Sequence, residues 1–201
     1  MAELDRQVGA SEDDITVRWD DGASSWIANL TAGEARVGYA AANYQKFGGG
    51  KRFTNITIPK GSTITAAYLT IRCASSESDT VCKSIIQGED VDDAAQFSDL
   101  ADYQGRTRTT ALVYWDSIPA WTADTDYDSP EIKTIIQEII DREGWASGQD
   151  IVIFWDDHDG RSDSGAYRRG YSYDGSSTYA PKLHIEYTPP TARRSHGYVI
   201  G

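Results

Sequence analysis

RFTNITIPKGSTITAAYLTIRC, residues 52–73, is the stretch that decides the fold. Polar and apolar residues alternate up to Ile58, residues 59–62 are of the types found in tight turns, and the alternation resumes over residues 67–73. The pattern predicts two β-strands joined as a hairpin. We therefore expect an all-β fold with one packed α-helix, a jelly-roll-like antiparallel β-sandwich, rather than an enzyme core.

Length and composition indicate one globular domain. The chain has 201 residues, and all-β sandwiches of this length commonly form a single domain. Thirty-one acidic residues against nineteen lysines and arginines give a net charge of −12. This charge repels phosphate backbones, so we expect no nucleic-acid partner. The acidic residues either serve solubility or hold Ca²⁺ in loops, as carboxylates do in extracellular sandwiches.

The N-terminal sequence MAELDRQVGASEDD shows no signal peptide, because it has neither a basic region nor an apolar core. No eighteen apolar residues follow one another anywhere in the chain, so we expect no membrane insertion. We expect an extracellular or virion location, reached after processing or by a non-classical route such as lysis.

One helix is predicted at about residues 130–143. Pro130 suits its first turn, Ser129 or Asp128 can cap its start, and Gly144 can take the left-handed position after its end. The apolar stripe must pack on the sandwich, and we place it at one open end. The stripe follows a spacing of i, i+3, i+4, i+7 and i+8: Ile132, Ile135, Ile136, Ile139 and Ile140.

Residues 150–155 read DIVIFW, an almost continuous apolar run. Such a run is typical of a strand that is covered on both faces, so we expect it at the centre of a sheet. Residues 182–187, KLHIEY, alternate again and predict the last strand.

The sequence predicts a compact body with two extended arms. We assign residues 1–12 to an N-terminal arm, residues 13–188 to the sandwich and residues 189–201 to a C-terminal arm that follows two prolines. The C-terminal arm is either disordered or an assembly element. Its short apolar segment, Tyr198, Val199 and Ile200, has the composition to add to a neighbour's exposed strand edge.

Cys73 and Cys82 are the two cysteines. Cys73 ends one predicted strand and Cys82 opens the next, with a polar segment between them. This spacing suits a disulfide that closes a hairpin, which would stabilise the fold by about 3 kcal/mol and imply an oxidising compartment. The alternative is a pair of half-buried thiols in a reducing one.

No pattern predicts catalysis, so we expect a protein that is not an enzyme. A hydrolytic triad needs a nucleophile beside a histidine, but His184 alternates on an outer strand face and His196 lies in the tail. Residues 170–175, GYSYDG, miss the spacing of a nucleophile elbow. Asp156 and Asp159 resemble a glycosidase pair only in composition.

The densest acidic cluster is DDHDGRSD, residues 156–163. Four carboxylates and a glycine can surround Ca²⁺, although their order differs from that of an EF-hand loop. The alternative is a solvated hairpin loop. The candidate metal ligands are Asp156, Asp157, Asp159 and Asp163.

Aromatic residues form a second candidate site. Tyr167, Tyr171 and Tyr173 alternate along one predicted strand, and Trp121 lies in a predicted loop. Rings on a sheet face stack on sugars, so these four are candidate glycan-binding residues. The same rings can instead fill a core or an interface between subunits.

Three segments resemble one family of sandwich domains. They are RFTNITIPKGSTITAAYL at residues 52–69, IIQEIIDREGWASG at residues 135–148 and APKLHIEY at residues 180–187. In these the chain resembles the DNRLRE or disaggregatase-related domains, over roughly residues 13–188, and it reads SGAYRRGY where that family carries its naming signature. The resemblance implies a sandwich similar to carbohydrate-binding modules. The stand-alone form resembles proteins of phage and environmental genomes, which implies decoration or fibre roles. The framework positions that carry the resemblance are Phe53, Ile64, Ala67, Leu69, Pro181, Leu183 and Tyr187.

These observations predict a non-enzymatic structural subunit that assembles with itself on a virion surface or in an extracellular filament, with its terminal arms linking neighbours. The alternative is a carbohydrate-binding module, Ca²⁺-stabilised or not, that adheres to a polysaccharide.

Overall fold

The structure is a computed structural model, and it describes residues 1–41, 44–77 and 81–191. Two short α-helices lie in these ranges, α1 (Leu100–Gly105) and α2 (Lys133–Ile140), and residues Ser11–Asp13 form one turn of 3-10 helix. Neither has the length and apolarity that crossing a bilayer requires. The strands in these ranges are β1 (Ala2–Gln7), β2 (Asp14–Asp20), β3 (Ser25–Asn29), β4 (Glu34–Gly38), β5 (Tyr44–Ile56), β6 (Thr63–Arg72), β7 (Cys82–Glu89), β8 (Arg108–Ile118), β9 (Asp126–Asp128), β10 (Gln149–Asp156), β11 (Tyr167–Tyr171) and β12 (Lys182–Thr188).

The strands form a sandwich of two antiparallel sheets, which confirms the predicted all-β fold. The four-stranded sheet has the order β1-β12-β6-β9. The eight-stranded sheet has the order β11-β4-β5-β10-β7-β8, and the β2–β3 hairpin joins it through pairing of β2 with β5. An apolar core fills the space between the sheets.

The stretch 52–73 connects the two sheets, so its prediction as a hairpin is wrong. Strand β5 pairs with β10 in one sheet, whereas β6 pairs with β12 in the other. The turn between them is closed by a bond from Ser62 N to Pro59 O at 3.1 Å. Phe53 and Leu69 lie in the same buried core. When β5 and β6 lie in facing sheets, their apolar sides cover each other and both are buried. Pairing of β5 with β6 in a single sheet would not by itself cover these sides.

Strand β10 is covered on both faces, as predicted, and it lies at the centre of its sheet. No residue from Ile151 to Trp155 is more than 1% exposed. Ile151, Ile153 and Trp155 contribute to the core between the sheets. On the other face, Val152 and Phe154 pack in a second apolar cluster under the segment that contains α1.

Helix α2 confirms the predicted apolar stripe, since all five isoleucines are buried. The predicted cap is wrong, because the residue before the helix is Ile132 and no side chain caps it. The Ser129 hydroxyl instead accepts a bond from Leu69 N at 3.0 Å and donates to Pro130 O at 2.8 Å. Ser129 therefore lies beside β6 and bonds the backbone of that strand, and it does not begin the helix.

Side chains on and beside α2 bond the backbones of both sheets. Because β9 pairs with only the last three residues of β6, much of the β6 edge has no strand beside it. The helix segment covers that edge and part of the β8 edge, and so closes one side of the sandwich. The acceptors are Glu131 for Ala67 N (2.7 Å), Gln137 for Ile64 N (2.8 Å) and Glu138 for Thr110 N and Ala111 N (2.7 Å each).

The N-terminal segment is a strand, so the predicted N-terminal arm of residues 1–12 is wrong. Strand β1 pairs with β12 along its whole length, from Ala2 opposite Tyr187 to Gln7 opposite Lys182. Its alternation was hidden because only Leu4 of this charged segment is a large apolar residue. At the other terminus the last strand ends at residue 188, and the predicted assembly residues Tyr198, Val199 and Ile200 lie outside the described residues.

Candidate functional site

A polar cleft opens between the β2–β3 hairpin and strand β4. Its volume is about 440 Å³, within the range of ligand-binding pockets. We call it the polar cleft. It is lined by Thr16, Arg18, Asn29, Ala32, Gly33, Glu34, Arg36 and Phe47.

Strand periodicity places the polar side chains at the cleft. In β4, Ala35 and Val37 are buried in the core between the sheets, so Glu34 and Arg36 point away from it. In the hairpin, the register sets Asn29 opposite Thr16, which puts these two side chains on one face. The Thr16 hydroxyl donates to Glu34 O at 3.0 Å and ties the hairpin to β4.

Tight backbone packing fixes the loop that lines one end of the cleft. A Cβ atom on Gly175 would overlap the Gly33 carbonyl oxygen, so the backbone segments at these two residues approach more closely than a side chain permits. The Ser172 hydroxyl donates to Ala32 O. Asn29 Oδ1 accepts bonds from Thr31 N at 2.9 Å and Thr31 Oγ1 at 3.2 Å, and this orientation leaves its Nδ2 as a donor.

The charged groups of the cleft are arranged around Glu34. Arg36 Nε donates to Glu34 Oε2 at 2.8 Å, and its guanidinium lies 5.4 Å from the centre of the Phe47 ring. On the other side, Arg169 Nη1 lies 3.8 Å from Glu34 Oε1 and Arg169 Nε donates to Glu77 at 2.6 Å. Burial works to lower the pKa of Arg169, but these carboxylates raise it above its usual value. Arg169 therefore stays protonated and positively charged.

Two of the four predicted glycan-binding residues lie beside the cleft. Strand β11 pairs with β4, so Tyr171 lies opposite Glu34 and Tyr167 opposite Gly38. The Tyr167 ring lies 6.4 Å from that of Phe47. Tyr171 packs against Tyr179 at 5.5 Å, in the neighbourhood of a smaller cleft of about 160 Å³. Arg72 covers the Tyr179 ring at 4.4 Å, so this ring face is already in contact.

Of the other two predicted residues, Trp121 belongs to the core and Tyr173 packs against it. Trp121 is 2% exposed and stacks on Tyr127 at 4.8 Å and on Trp155 at 6.0 Å, so its prediction as a sugar-stacking residue is wrong. A pair of backbone bonds with Glu77 holds the Trp121 loop inward. Tyr173 lies beyond the end of β11 and packs against the core.

Sequence reasoning missed the residues that line the cleft. Arg36 and Glu34 alternate with apolar residues in β4, a signal that any solvated strand face gives. What distinguishes them is the hairpin that lies beside them, and that arrangement depends on pairing between distant segments.

The acidic loop at residues 156–163 does not bring three of its four predicted ligands together. Asp156 pairs with Arg108 at 2.6 Å, and buried Asp157 accepts the backbone N–H groups of Arg161 (2.8 Å) and Ser162 (3.0 Å). The other two predicted ligands, Asp159 and Asp163, are exposed. Over the described ranges, no three His, Cys, Asp or Glu side chains are placed to hold a metal ion together. The buried carboxylates of this loop instead satisfy its own backbone and an arginine.

The two cysteines are free and buried, so the predicted disulfide is wrong. Cys73 follows β6 in the four-stranded sheet, whereas Cys82 begins β7 in the eight-stranded sheet. The connection between them passes from one sheet to the other and does not close a hairpin. Cys73 Sγ donates to Ser75 O at 3.1 Å, and burial raises the pKa of this thiol.

A buried polar network lies on the outer face of the eight-stranded sheet. Arg108 donates to Asp156 and, at 2.9 Å, to the Tyr103 hydroxyl. His158 Nε2 lies 3.3 Å from Val17 O, which places it as a donor to β2. Burial lowers the pKa of His158 and raises that of Tyr103. The bonds of this network join α1, β8 and β10 to the hairpin that forms one wall of the cleft.

Comparison with family models and with curated proteins gives no match to this chain. The resemblance to the DNRLRE or disaggregatase-related domains therefore stays a prediction.

Proposed function

We propose that this chain is a non-enzymatic carbohydrate-binding module whose ligand occupies the polar cleft. The observation that carries the proposal is the mixture of groups around a space of about 440 Å³: guanidinium, amide, carboxylate and hydroxyl. A sugar hydroxyl both donates and accepts hydrogen bonds, so a glycan site needs both kinds of partner at fixed positions.

The groups at the cleft are held in place before any ligand arrives. Glu34 is bonded by Arg36, Asn29 is oriented by Thr31, and Thr16 is tied to the backbone of β4. Preorganised side chains lose little conformational entropy on binding, which favours affinity for a hydrated ligand such as a glycan. The Tyr167 ring beside Phe47 adds an aromatic surface at the margin of the cleft.

The lining favours binding over hydrolysis. Most glycoside hydrolases use two carboxyl groups that flank the scissile bond. Among the described residues that line the cleft, Glu34 is the one acidic residue, and Arg36 already bonds its carboxylate.

Glycan-array screening of the whole chain, followed by calorimetry on the best ligand, tests the proposal. We expect Arg36→Gln and Asn29→Ala each to weaken binding at least tenfold. The matched control is Arg161→Gln, because Arg161 is also a partly exposed arginine paired with a carboxylate, Asp116, at the opposite edge of the same sheet. The proposal is wrong if no glycan binds, or if the cleft variants bind as well as the control.

A second candidate function is self-assembly as a structural subunit of a virion surface or an extracellular filament. The observation that favours it is the outermost strand β8, whose edge α2 covers only in part and where Leu112 is 39% and Tyr114 54% exposed. An edge strand with exposed apolar residues is a surface to which a neighbour's strand can add. Sedimentation velocity over a range of concentrations tests it: we expect larger species for the wild type and a monomer for Tyr114→Lys, and a wild type that stays monomeric overturns it.

A further inference from the structure

We propose that the polar cleft recognises two hydroxyl groups on adjacent carbons of one sugar ring, of which Glu34 binds one and Arg36 the other. This inference rests on the proposed function and names the chemical group that the same site selects. Because hydroxyl groups are neutral, it requires no excess of charge at the cleft.

Glu34 has one carboxylate oxygen that can accept from a ligand. Its Oε2 accepts from Arg36 Nε at 2.8 Å, and Arg36 Nη2 lies 2.5 Å from the same oxygen. Within the described part of the chain no donor bonds Oε1, since Arg169 Nη1 lies 3.8 Å from it, beyond hydrogen-bonding distance. Arg169 instead donates to Glu77 and, at 2.9 Å, to the Ser75 hydroxyl. An ionised carboxylate only accepts, so Oε1 suits a ligand group that donates, such as a hydroxyl.

Arg36 has donors that its ion pair does not use. A guanidinium is planar, and Nε and Nη2 both face Glu34 Oε2, so the two N–H groups on Nη1 point away from that oxygen. The Arg36 side chain lines the cleft and is 34% exposed. A ligand hydroxyl can therefore accept from Nη1 while the pair with Glu34 stays intact.

The ion pair presents an acceptor and a donor at its two ends. Glu34 and Arg36 are two residues apart on the same face of β4, so the strand fixes the spacing between them. The contact between Oε2 and Nη2 separates Oε1 from Nη1. Because of this separation, one hydroxyl does not bond both ends well, whereas two hydroxyls on adjacent carbons offer two oxygens side by side. We therefore assign one hydroxyl to each end.

Both contacts should discriminate strongly between sugars. Hydrogen bonds with one ionised partner are roughly twice as strong as those between neutral groups. A site built to bond a hydroxyl also rejects an analogue that lacks it, because the polar groups of the protein then lose their partner. The cleft should thus bind a sugar that has this pair of hydroxyls and reject one in which either is missing.

The tightest-binding glycan from an array probed with the intact chain, remade as forms that each lack one hydroxyl, tests the inference by calorimetry. We expect two deletions, at adjacent carbons of one ring, to weaken binding about tenfold or more each, and the others on that ring less than about threefold. If no adjacent pair stands out, the inference is wrong and the proposed function stands. If no printed glycan binds, both proposals fall.

Variants then assign each hydroxyl to its residue by double-mutant cycles. In Glu34→Gln the amide oxygen can still accept from Arg36, while the amide nitrogen, a donor, replaces Oε1. One of the two deletions should therefore lose most of its effect in this variant, and the other deletion should lose most of its effect in Arg36→Gln.

The matched control is Asp116→Asn, because Asp116 pairs with Arg161 at the opposite edge of the same sheet. Both deletions should keep their full effect in this variant, and thermal unfolding checks that all three variants are folded. If the deletions cost as much in Glu34→Gln and Arg36→Gln as in the wild type, the hydroxyls are bound elsewhere and the inference is wrong.

Discussion

Lys51 Nζ lies 2.5 Å from Asp14 Oδ1, and neither side chain is more than 2% exposed. The two residues are directly opposite each other where β5 pairs with β2. The second carboxylate oxygen of Asp14 accepts the backbone N–H of Tyr173 at 3.1 Å, so the pair also fastens the chain after β11. This ion pair therefore joins three segments around the polar cleft.

Replacing Lys51 with methionine should lower the free energy of unfolding by about 3–5 kcal/mol, because it leaves the Asp14 charge buried without its partner. Urea unfolding followed by tryptophan fluorescence measures the loss. The matched control is Arg72→Met, which breaks a partly exposed pair with Asp126 and should cost about 1 kcal/mol or less. Equal losses in the two variants would contradict the prediction.

His158 should make the fold less stable in mild acid. Burial lowers its pKa below the usual 6.5, so the folded protein keeps the ring neutral while the unfolded chain takes up a proton. The contribution of the neutral His158 ring to the free energy of unfolding is present above about pH 6.5 and is lost as the pH falls below that value. Unfolding at pH 7.5, 6.5 and 5.5 should show a steeper decline for the wild type than for His158→Gln, which cannot titrate.

His184 should have the opposite pH dependence. Its Nδ1 lies 2.8 Å from Asp5 on the neighbouring strand β1, and although burial works to lower its pKa, the bonds to Asp5 and Glu186 raise it. The contribution of protonated His184 to the free energy of unfolding is complete below about pH 6.5. It is lost as the pH rises through the raised pKa of the folded protein. The difference in stability between the wild type and His184→Gln should therefore shrink from pH 6 to pH 8.5. A difference that grows over this range would refute the assignment.

Gly175→Ala should weaken ligand binding at the cleft as well as the fold. The added methyl group would collide with the Gly33 carbonyl oxygen and displace the loop that lines the cleft. We expect a stability loss of about 1–3 kcal/mol together with reduced glycan affinity. Gly105→Ala is the control, since apart from the neighbouring residues and the backbone of α1 no atom lies within 4 Å of the new methyl group, and stability should change little. An affinity unchanged by Gly175→Ala would show that this loop does not shape the site.

The sequence predicts the elements whose signal is local. The isoleucine stripe of α2 and the apolar run of β10 each follow from the periodicity of a single segment, and both are found. Sheet membership is not a local property: nothing in residues 52–73 says that β6 pairs with β12 rather than β5. The disulfide was predicted on a similar assumption, that strands adjacent in sequence pair with each other and so bring Cys73 and Cys82 together. Trp121 shows the same limit, because a ring in a polar loop is stacked inward through contacts with distant residues.

The cleft could not be predicted for a related reason. Asn29 lies in the β2–β3 hairpin and Arg36 in β4, and the two residues line one cleft because β2 and β4 both pair with β5. Each is an ordinary polar residue in its own strand. Long-range strand pairing brings the two residues together as a site, and a single sequence does not show that pairing.

The pairing of β1 with β12 has a consequence for synthesis. Strand β12 is made long after its partner β1, since Ala2 lies opposite Tyr187. During translation β1 therefore has no β12 to pair with until residues 182–188 have emerged. Formation of the four-stranded sheet should thus be slow, as expected when contacts join residues far apart in the chain. Nascent chains truncated before residue 182 would leave this sheet open at its edge.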